Sequence, residues 1–98
     1  MQNIFEGVIR NQQLRVLVLE WNTMRGSRVY QAASRVLRLN TTLQLLNLKH
    51  CGMDLESAYV LAKGLGCNST LETLILDGNP IGQNGARQIM VSSSVTVW

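Results

Sequence analysis

Residues 68–82 read Asn-Ser-Thr-Leu-Glu-Thr-Leu-Ile-Leu-Asp-Gly-Asn-Pro-Ile-Gly, and this stretch decides the fold. From Leu71 to Asn79 it has the frame Leu-x-x-Leu-x-Leu-x-x-Asn, and the same frame starts 28 and 57 residues earlier in the chain. A near-constant period of this length indicates a stack of similar units, each burying its apolar side against its neighbours. The frame positions, which we expect to be structural, are Leu14, Leu17, Leu19 and Asn22, then Leu43, Leu46, Leu48 and Cys51, then Leu71, Leu74, Leu76 and Asn79.

Each frame predicts a short strand, because residues two apart on a strand point to the same side. Full burial of one leucine side chain is worth about 1.5–3 kcal/mol, so the frame leucines should dominate the core. The residues that close the frames fall in one column, where an asparagine amide can bond loop backbone groups. Asn40-Thr-Thr and Asn68-Ser-Thr have the form of glycosylation acceptors. Because they recur at one place in the repeat, we interpret them as structural turns.

Apolar residues between the frames recur at i, i+3, i+4 and i+7, which is the spacing of one helix face. The first helix should end before Asn11, and the last should run from Gln83 to Met90, because Ser92-Ser-Ser is poorly suited to a helix interior. The next frame would begin near residue 99, so we expect the last unit to lack its strand. The predicted stripes are Met1, Ile4, Phe5 and Val8, then Val29, Ala32, Ala33 and Val36, then Ala58, Leu61, Ala62 and Leu65, then Ala86, Ile89 and Met90.

Three features carry a family resemblance, namely the three frames, the Asn-x-x-Leu segment that introduces each frame, and Asn79-Pro-Ile-Gly followed by Gly85-Ala86. In these features the chain resembles the leucine-rich repeat family in its ribonuclease-inhibitor subtype. The resemblance implies an α/β solenoid with a short curved parallel sheet on the concave side and helices on the convex side. It also implies protein binding through the concave strand face, as in immune receptors, cytoskeletal or ciliary scaffolds and regulators of small GTPases. We divide the single domain 1–98 into a partial-repeat helix at 1–13, repeats at 14–42, 43–70 and 71–90, and a divergent tail at 91–98.

Alignment of the frames places the outward residues in columns on the side of the sheet away from the core. Apolar side chains and two amphipathic rings stand there beside charges of alternating sign, which can neutralise one another. Exposed apolar patches rimmed by charge often mark interfaces, and tryptophan is a frequent anchor. The predicted partner-binding residues are Val16, Val18, Glu20, Trp21, Leu45, Asn47, Lys49, His50, Thr73, Ile75 and Asp77.

Catalysis, metal binding and cofactor binding are not expected. His50 and Cys51 adjoin each other, but we expect them on opposite sides of a strand, and no further ligand lies at metal spacing. No residue completes a catalytic set, and no phosphate-binding loop is present. Cys51 is therefore interpreted as structural. The sequence predicts no enzymatic function.

Composition favours a reducing compartment inside the cell. The apolar runs are too short to cross a bilayer, the first residues do not form a secretory signal, and only Cys51 and Cys67 could form a disulfide. We expect a cytoplasmic location, with a cytoskeletal, ciliary or nuclear one as alternatives.

The net charge of +3 comes chiefly from arginines, of which Arg25, Arg28, Arg35 and Arg38 cluster in one segment. We interpret them as a solvated helix face. A nucleic-acid or ribosome-associated role through this segment is an unfavoured alternative, because no aromatic residues interleave the arginines. A second alternative is a structural subunit of a large complex. Whether the chain is such a subunit or the favoured protein-binding module, we expect it to be a fragment or subunit of a larger assembly. Another protein or further repeats should then cover both ends of the stack.

Overall fold

Helices and strands alternate along the chain in the computed structural model, which describes the backbone of residues 2–98 and the side chains of residues 4–98. Met1, the first residue of the predicted helical stripes, lies outside the described residues. The elements are α1 (Gln2–Arg10), β1 (Val16–Val18), α2 (Ser27–Leu39), β2 (Leu45–Asn47), α3 (Leu55–Leu65), β3 (Thr73–Ile75), α4 (Gly82–Ser92) and β4 (Thr96–Val97).

The strands form one parallel sheet in the order β1-β2-β3-β4, so neighbours in sequence are also neighbours in space. Val16 pairs with Leu45 and Leu45 with Thr73, which is the register that the repeat alignment predicts. The paired segments cover only three residues of each nine-residue frame. The first two residues of each frame precede the strand, and the last four lead towards the following helix.

The leucines of the frames face the helices and form the core, as predicted. Leu46, Leu48 and Leu74 are fully buried, whereas Leu14 and Leu17 are half-buried because β1 is an edge strand. The opposite residues of the strands lie on the exposed side of the sheet. The leucines of neighbouring strands therefore stack on one another, and the packing of α2 on α3 and of α3 on α4 adds a second contact between repeats.

The predicted bonding of loop backbone groups by the frame-end asparagines extends between repeats at Asn79, whereas Asn22 bonds only within its own turn. The Asn79 carboxamide oxygen accepts hydrogen bonds from the backbone N–H groups of Cys51 (2.9 Å) and Met53 (3.0 Å), and its nitrogen donates to the carbonyls of Leu48 (2.7 Å) and Leu76 (2.8 Å). One side chain thus satisfies four backbone groups of two turns. Cys51, in the same column, donates from its thiol to the Leu19 carbonyl at 3.0 Å.

A second asparagine column precedes the strands and confirms the interpretation of these segments as structural turns. The side-chain oxygen of Asn68 accepts from the N–H groups of Thr70 and Leu71, while its nitrogen donates to the Leu37 carbonyl of the preceding repeat at 2.7 Å. Asn40 makes the equivalent bonds and is almost completely buried.

The predicted apolar face of α3 is confirmed, since Ala58, Leu61, Ala62 and Leu65 are all buried. The Asp54 carboxylate accepts from the Ser57 N–H at 2.9 Å and caps the helix, as expected for an N-cap aspartate. These hydrogen bonds from Ser57 hold the pKa of Asp54 below its usual value.

The buried face of α2 is rotated from the predicted stripe. Val29 and Ala32 are only half-buried, whereas Tyr30 and Leu37 are fully buried. The buried Tyr30 hydroxyl donates to the Cys51 carbonyl at 3.1 Å, so its burial leaves no unpaired donor. Burial raises the pKa of Tyr30, which keeps this donor protonated.

The predicted burial was wrong at Ile4 in α1 and at Met90 in α4, which are 45% and 63% exposed. Each of these outer helices packs mainly against a single neighbour, α2 for α1 and α3 for α4. One buried side is enough for such a helix, and Phe5, Val8 and Ile89 supply it. The α4 helix also continues two residues beyond its predicted end.

The predicted lack of a final strand was also wrong. Thr96 pairs with Thr73, an offset of 23 residues in place of 28, so β4 arrives five residues earlier than the period requires. Most of the difference lies between α4 and β4, where three residues replace the seven that separate α3 from β3. The tail therefore pairs with the sheet through a shortened connection.

Candidate functional site

The side of the sheet away from the helices carries six side chains, two from each of β1, β2 and β3, and we call it the open face. Val16 and Val18 are about half exposed, and the other four are partly covered by their neighbours. The open face consists of Val16, Leu45 and Thr73 in one column and Val18, Asn47 and Ile75 in the next. The columns are therefore those that the sequence predicts.

Hydrogen bonding between repeats continues past the strands into the turns. The Trp21 N–H donates to the Lys49 carbonyl and the His50 N–H to the Asp77 carbonyl, both at 2.9 Å. The turn residues of successive repeats are consequently held in register. Trp21, with φ of 65°, and His50, with φ of 51°, adopt the left-handed region. The prediction that His50 lies in a strand was wrong, because the strand ends at Asn47.

Trp21 and His50 form a stack at this edge of the sheet. Their ring centroids are 3.9 Å apart and the ring planes differ by 14°. On the other side of the histidine lies Gly78, where a Cβ atom would overlap the imidazole ring. The glycine thus leaves room for the imidazole, and the imidazole supports the indole. Trp21 remains 69% exposed, so most of its surface is open to solvent.

Charged residues stand beside this stack, in the column Glu20, Lys49 and Asp77. In the described part of the chain these three form no close ion pair with one another, and neutralisation within the row stays a prediction. Instead, Glu20 Oε2 accepts from the Asn47 amide at 3.2 Å. This hydrogen bond connects the turn after β1 to Asn47 of the open face.

Trp98 extends the open face, and the sequence reading missed it. The Trp98 N–H donates to the Leu74 carbonyl at 2.9 Å and its carbonyl accepts from the Leu76 N–H, so the two bonds flank Ile75. Trp98 is therefore the β4 counterpart of Ile75, and it is largely exposed. The alternation of Val95 and Val97 with Thr96 and Trp98 is a strand signal, but it falls outside the leucine frame.

The chemistry of these residues suits binding. No group of three or more His, Cys, Asp or Glu side chains suited to a metal ion occurs in the described part of the chain. Cys51 is fully buried, and burial raises the pKa of its thiol, which makes it a poor nucleophile. The arrangement offers apolar and aromatic surface, hydrogen-bonding groups and charges on a rigid framework of strands.

The remaining sequence features lie away from the open face. Arg25, Arg28, Arg35 and Arg38 are exposed, as expected of a solvated helix surface, and Arg35 forms an ion pair with Glu6 of α1. No helix within residues 2–98 has the length and apolar character that crossing a bilayer requires.

The family model of the leucine-rich repeat matches residues 39–62 and 67–90, each of which contains one frame and most of the helix that follows it. The solved structure of the leiomodin-1 actin-binding site 2 superimposes on 92% of the chain with a TM-score of 0.81 and 22% sequence identity. The fold is a leucine-rich repeat solenoid. Proteins of this type typically act as non-enzymatic interaction domains.

A relative in sequence is the FERM domain-containing protein C of Dictyostelium discoideum, which is 28% identical over 85 residues. The match covers 87% of this chain but only 6% of that protein, and the chain spans about half, 53%, of the leiomodin-1 structure. These leucine-rich repeats are thus similar to segments of larger proteins.

Proposed function

We propose that this chain is a protein-interaction module that binds its partner through the open face and the adjoining Trp21–His50 stack. The observation that carries the proposal is an exposed indole held in place by a histidine ring, beside apolar strand residues. A large side chain fixed before binding loses little conformational entropy when a partner covers it. Tryptophan is also among the residues that contribute most to interface energies.

The sheet supports this role because its side chains are held in fixed columns. Val16 and Val18 offer apolar surface, while Glu20, Lys49 and Asp77 offer charges at the rim. Such a mixture is typical of a transient interface, in which an apolar centre supplies affinity and polar groups supply specificity. Trp98 stands on the same side at β4, so the surface has an aromatic residue towards each end of the sheet.

The first partner to test is actin. The structural neighbour is named as an actin-binding site, and the sequence relative is named as a FERM domain-containing protein. The name of the structural neighbour favours a cytoskeletal setting among those that the family resemblance implies. The proposal includes a cytoplasmic location for this chain, since Cys51 and Cys67 are free thiols. It also includes the ribonuclease-inhibitor-like subtype, which the 28-residue strand-and-helix unit supports.

The proposal is tested by measuring the affinity of monomeric and filamentous actin for the wild-type chain and for a Trp21→Ala, Leu45→Ala double variant. If actin binds at the open face, the double variant should weaken binding by about 30-fold or more, as expected for loss of a tryptophan hot spot. The matched control is Met90→Ala, which removes a similarly exposed apolar side chain from α4. Circular dichroism should show all variants folded.

Equal affinities for the wild-type chain and the folded double variant would reject the open face as the binding site. If actin does not bind the wild-type chain, the same comparison is made with partners captured from cytoskeletal extracts. If a partner binds the wild-type chain and the Met90→Ala variant but not the double variant, the open face is the binding site and its ligand is a protein other than actin.

A further inference from the structure

A groove on the helical side of the solenoid, between α2 and α3, has a chemistry that the interaction surface does not use. It has a volume of about 220 Å³. Its lining consists of Gln31, Ser34, Arg38, Val60 and Lys63. Two of the five residues are cations, two are neutral hydrogen-bonding residues, and none is a carboxylate.

The spacing along each helix explains why these side chains meet. Gln31, Ser34 and Arg38 are three and four residues apart on α2, and Val60 and Lys63 are three apart on α3, so each set shares one helix face. Gly64 brings the helices together, since a Cβ atom there would lie 2.5 Å from the Ser34 carbonyl oxygen and 2.7 Å from its Cα. The floor of the groove is therefore set by backbone packing.

The polar groups of the groove are available for a ligand. Ser34 is 94% buried, and its hydroxyl has no hydrogen-bond partner among residues 4–98. The Ser34 hydroxyl lies beside Gly64 of α3, at the floor of the groove. Among residues 4–98, Arg35 forms an ion pair with Glu6, whereas Arg38 and Lys63 form no ion pair.

We propose that this groove binds a dianionic phosphate group, either free phosphate or a small phosphomonoester. Arg38 and Lys63 supply two positive charges, and the guanidinium geometry suits the tetrahedral oxygens of phosphate. The Ser34 hydroxyl and the Gln31 amide supply neutral donors between them. Since no carboxylate lines the groove, these cations are not neutralised locally. The site is separate from the open face and does not depend on the proposed function.

The test is a nuclear magnetic resonance titration of the whole chain at pH 7.5 and constant ionic strength, with the probes inorganic phosphate, glycerol 3-phosphate, acetate and chloride. Both phosphate compounds should give saturable shifts centred on the amides of Gln31, Ser34, Lys63 and Gly64. Acetate and chloride should not. Tighter binding of glycerol 3-phosphate would identify a phosphomonoester as the ligand class, and equal or tighter binding of inorganic phosphate would identify the free ion.

Arg38→Gln should weaken phosphate binding by about threefold to tenfold, because a partly exposed ion pair contributes modestly. The matched control is Arg28→Gln, the same change of charge at an exposed position of α2 outside the groove. Its effect should be less than twofold. If both variants weaken binding equally, or if chloride produces the same shifts as phosphate, binding is non-specific and the proposal is wrong.

Discussion

Replacement of Asn79 by alanine should destabilise the protein far more than the same replacement of Asn22, although both residues close a leucine frame. The Asn79 side chain makes four hydrogen bonds to backbone groups, one to Leu76 in its own repeat and three to the preceding repeat. Asn22, at the first frame, donates only to the Leu19 and Glu20 carbonyls of its own turn and is exposed.

The magnitude follows from these contacts. Each hydrogen bond contributes about 0.5–1.5 kcal/mol net, and water can replace part of that at a half-buried site, so Asn79→Ala should cost about 2–4 kcal/mol. The total free energy of unfolding for a chain of this size is roughly 5–15 kcal/mol. The loss should lower the midpoint of thermal unfolding by roughly 10–20 °C. For Asn22→Ala we expect less than about 1 kcal/mol.

The assay is denaturant unfolding of the wild-type chain and the two variants, followed by circular dichroism, with the slopes compared to confirm two-state behaviour. The asymmetry between the two asparagines is the test, since helix and strand propensities are the same for both substitutions. Equal losses, or a loss below 1 kcal/mol for Asn79→Ala, would refute the view that this amide connects neighbouring repeats.

Three further predictions concern single positions. Gly64→Ala should destabilise the chain by about 1–3 kcal/mol, because its Cβ atom would overlap the α2 backbone. In the same unfolding assay Gly7→Ala should stabilise α1 by about 0.5–1 kcal/mol, because nothing lies within 4 Å of the added Cβ atom. Gly78→Ala places a side chain at φ of 77° and against the His50 ring, so it should cost about 1–2 kcal/mol and reduce the ring-current shifts of the indole–imidazole stack in proton spectra. Asp54→Ala removes a helix cap and should cost about 1 kcal/mol at neutral pH. The folded-state pKa of Asp54 lies below its unfolded value of 3.8, so its contribution is fully present above about pH 4 and decreases as the pH falls through the folded-state pKa. An unfolding difference that is as large at pH 2 as at pH 7 would contradict this cause.

The repeat period was enough to predict the sheet. Because Leu46 and Leu74 recur with the asparagine columns, the sequence fixes which side of each strand is buried, and the register follows. Ile4 and Met90 could not be placed in the same way, because helical periodicity shows an apolar face but not whether a second helix covers it. The burial of Tyr30 in α2 could not be predicted either, because the carbonyl that its hydroxyl bonds belongs to another repeat.

The fourth strand and the Trp21–His50 stack were both missed in the sequence, but for different reasons. The connection before β4 lacks the Asn-x-x-Leu segment, so the frame that locates other strands gives no signal for Thr96 or Trp98. For the stack a signal did exist. Gly78 occupies the same column as Trp21 and His50, and a glycine at a turn position is typical of positive φ. The residues of the open face were predicted from the sequence, and their role in binding stays a proposal.

The central claim is that the strands bury their frame leucines and leave the opposite side of the sheet free for a partner. The direct measurement is paramagnetic broadening of methyl signals by a soluble nitroxide or gadolinium compound. The methyls of Val16 and Val18 should broaden strongly, while those of Leu46 and Leu74 should stay sharp. The reverse pattern, with the frame leucines accessible and the valines protected, would contradict both the fold and the binding surface.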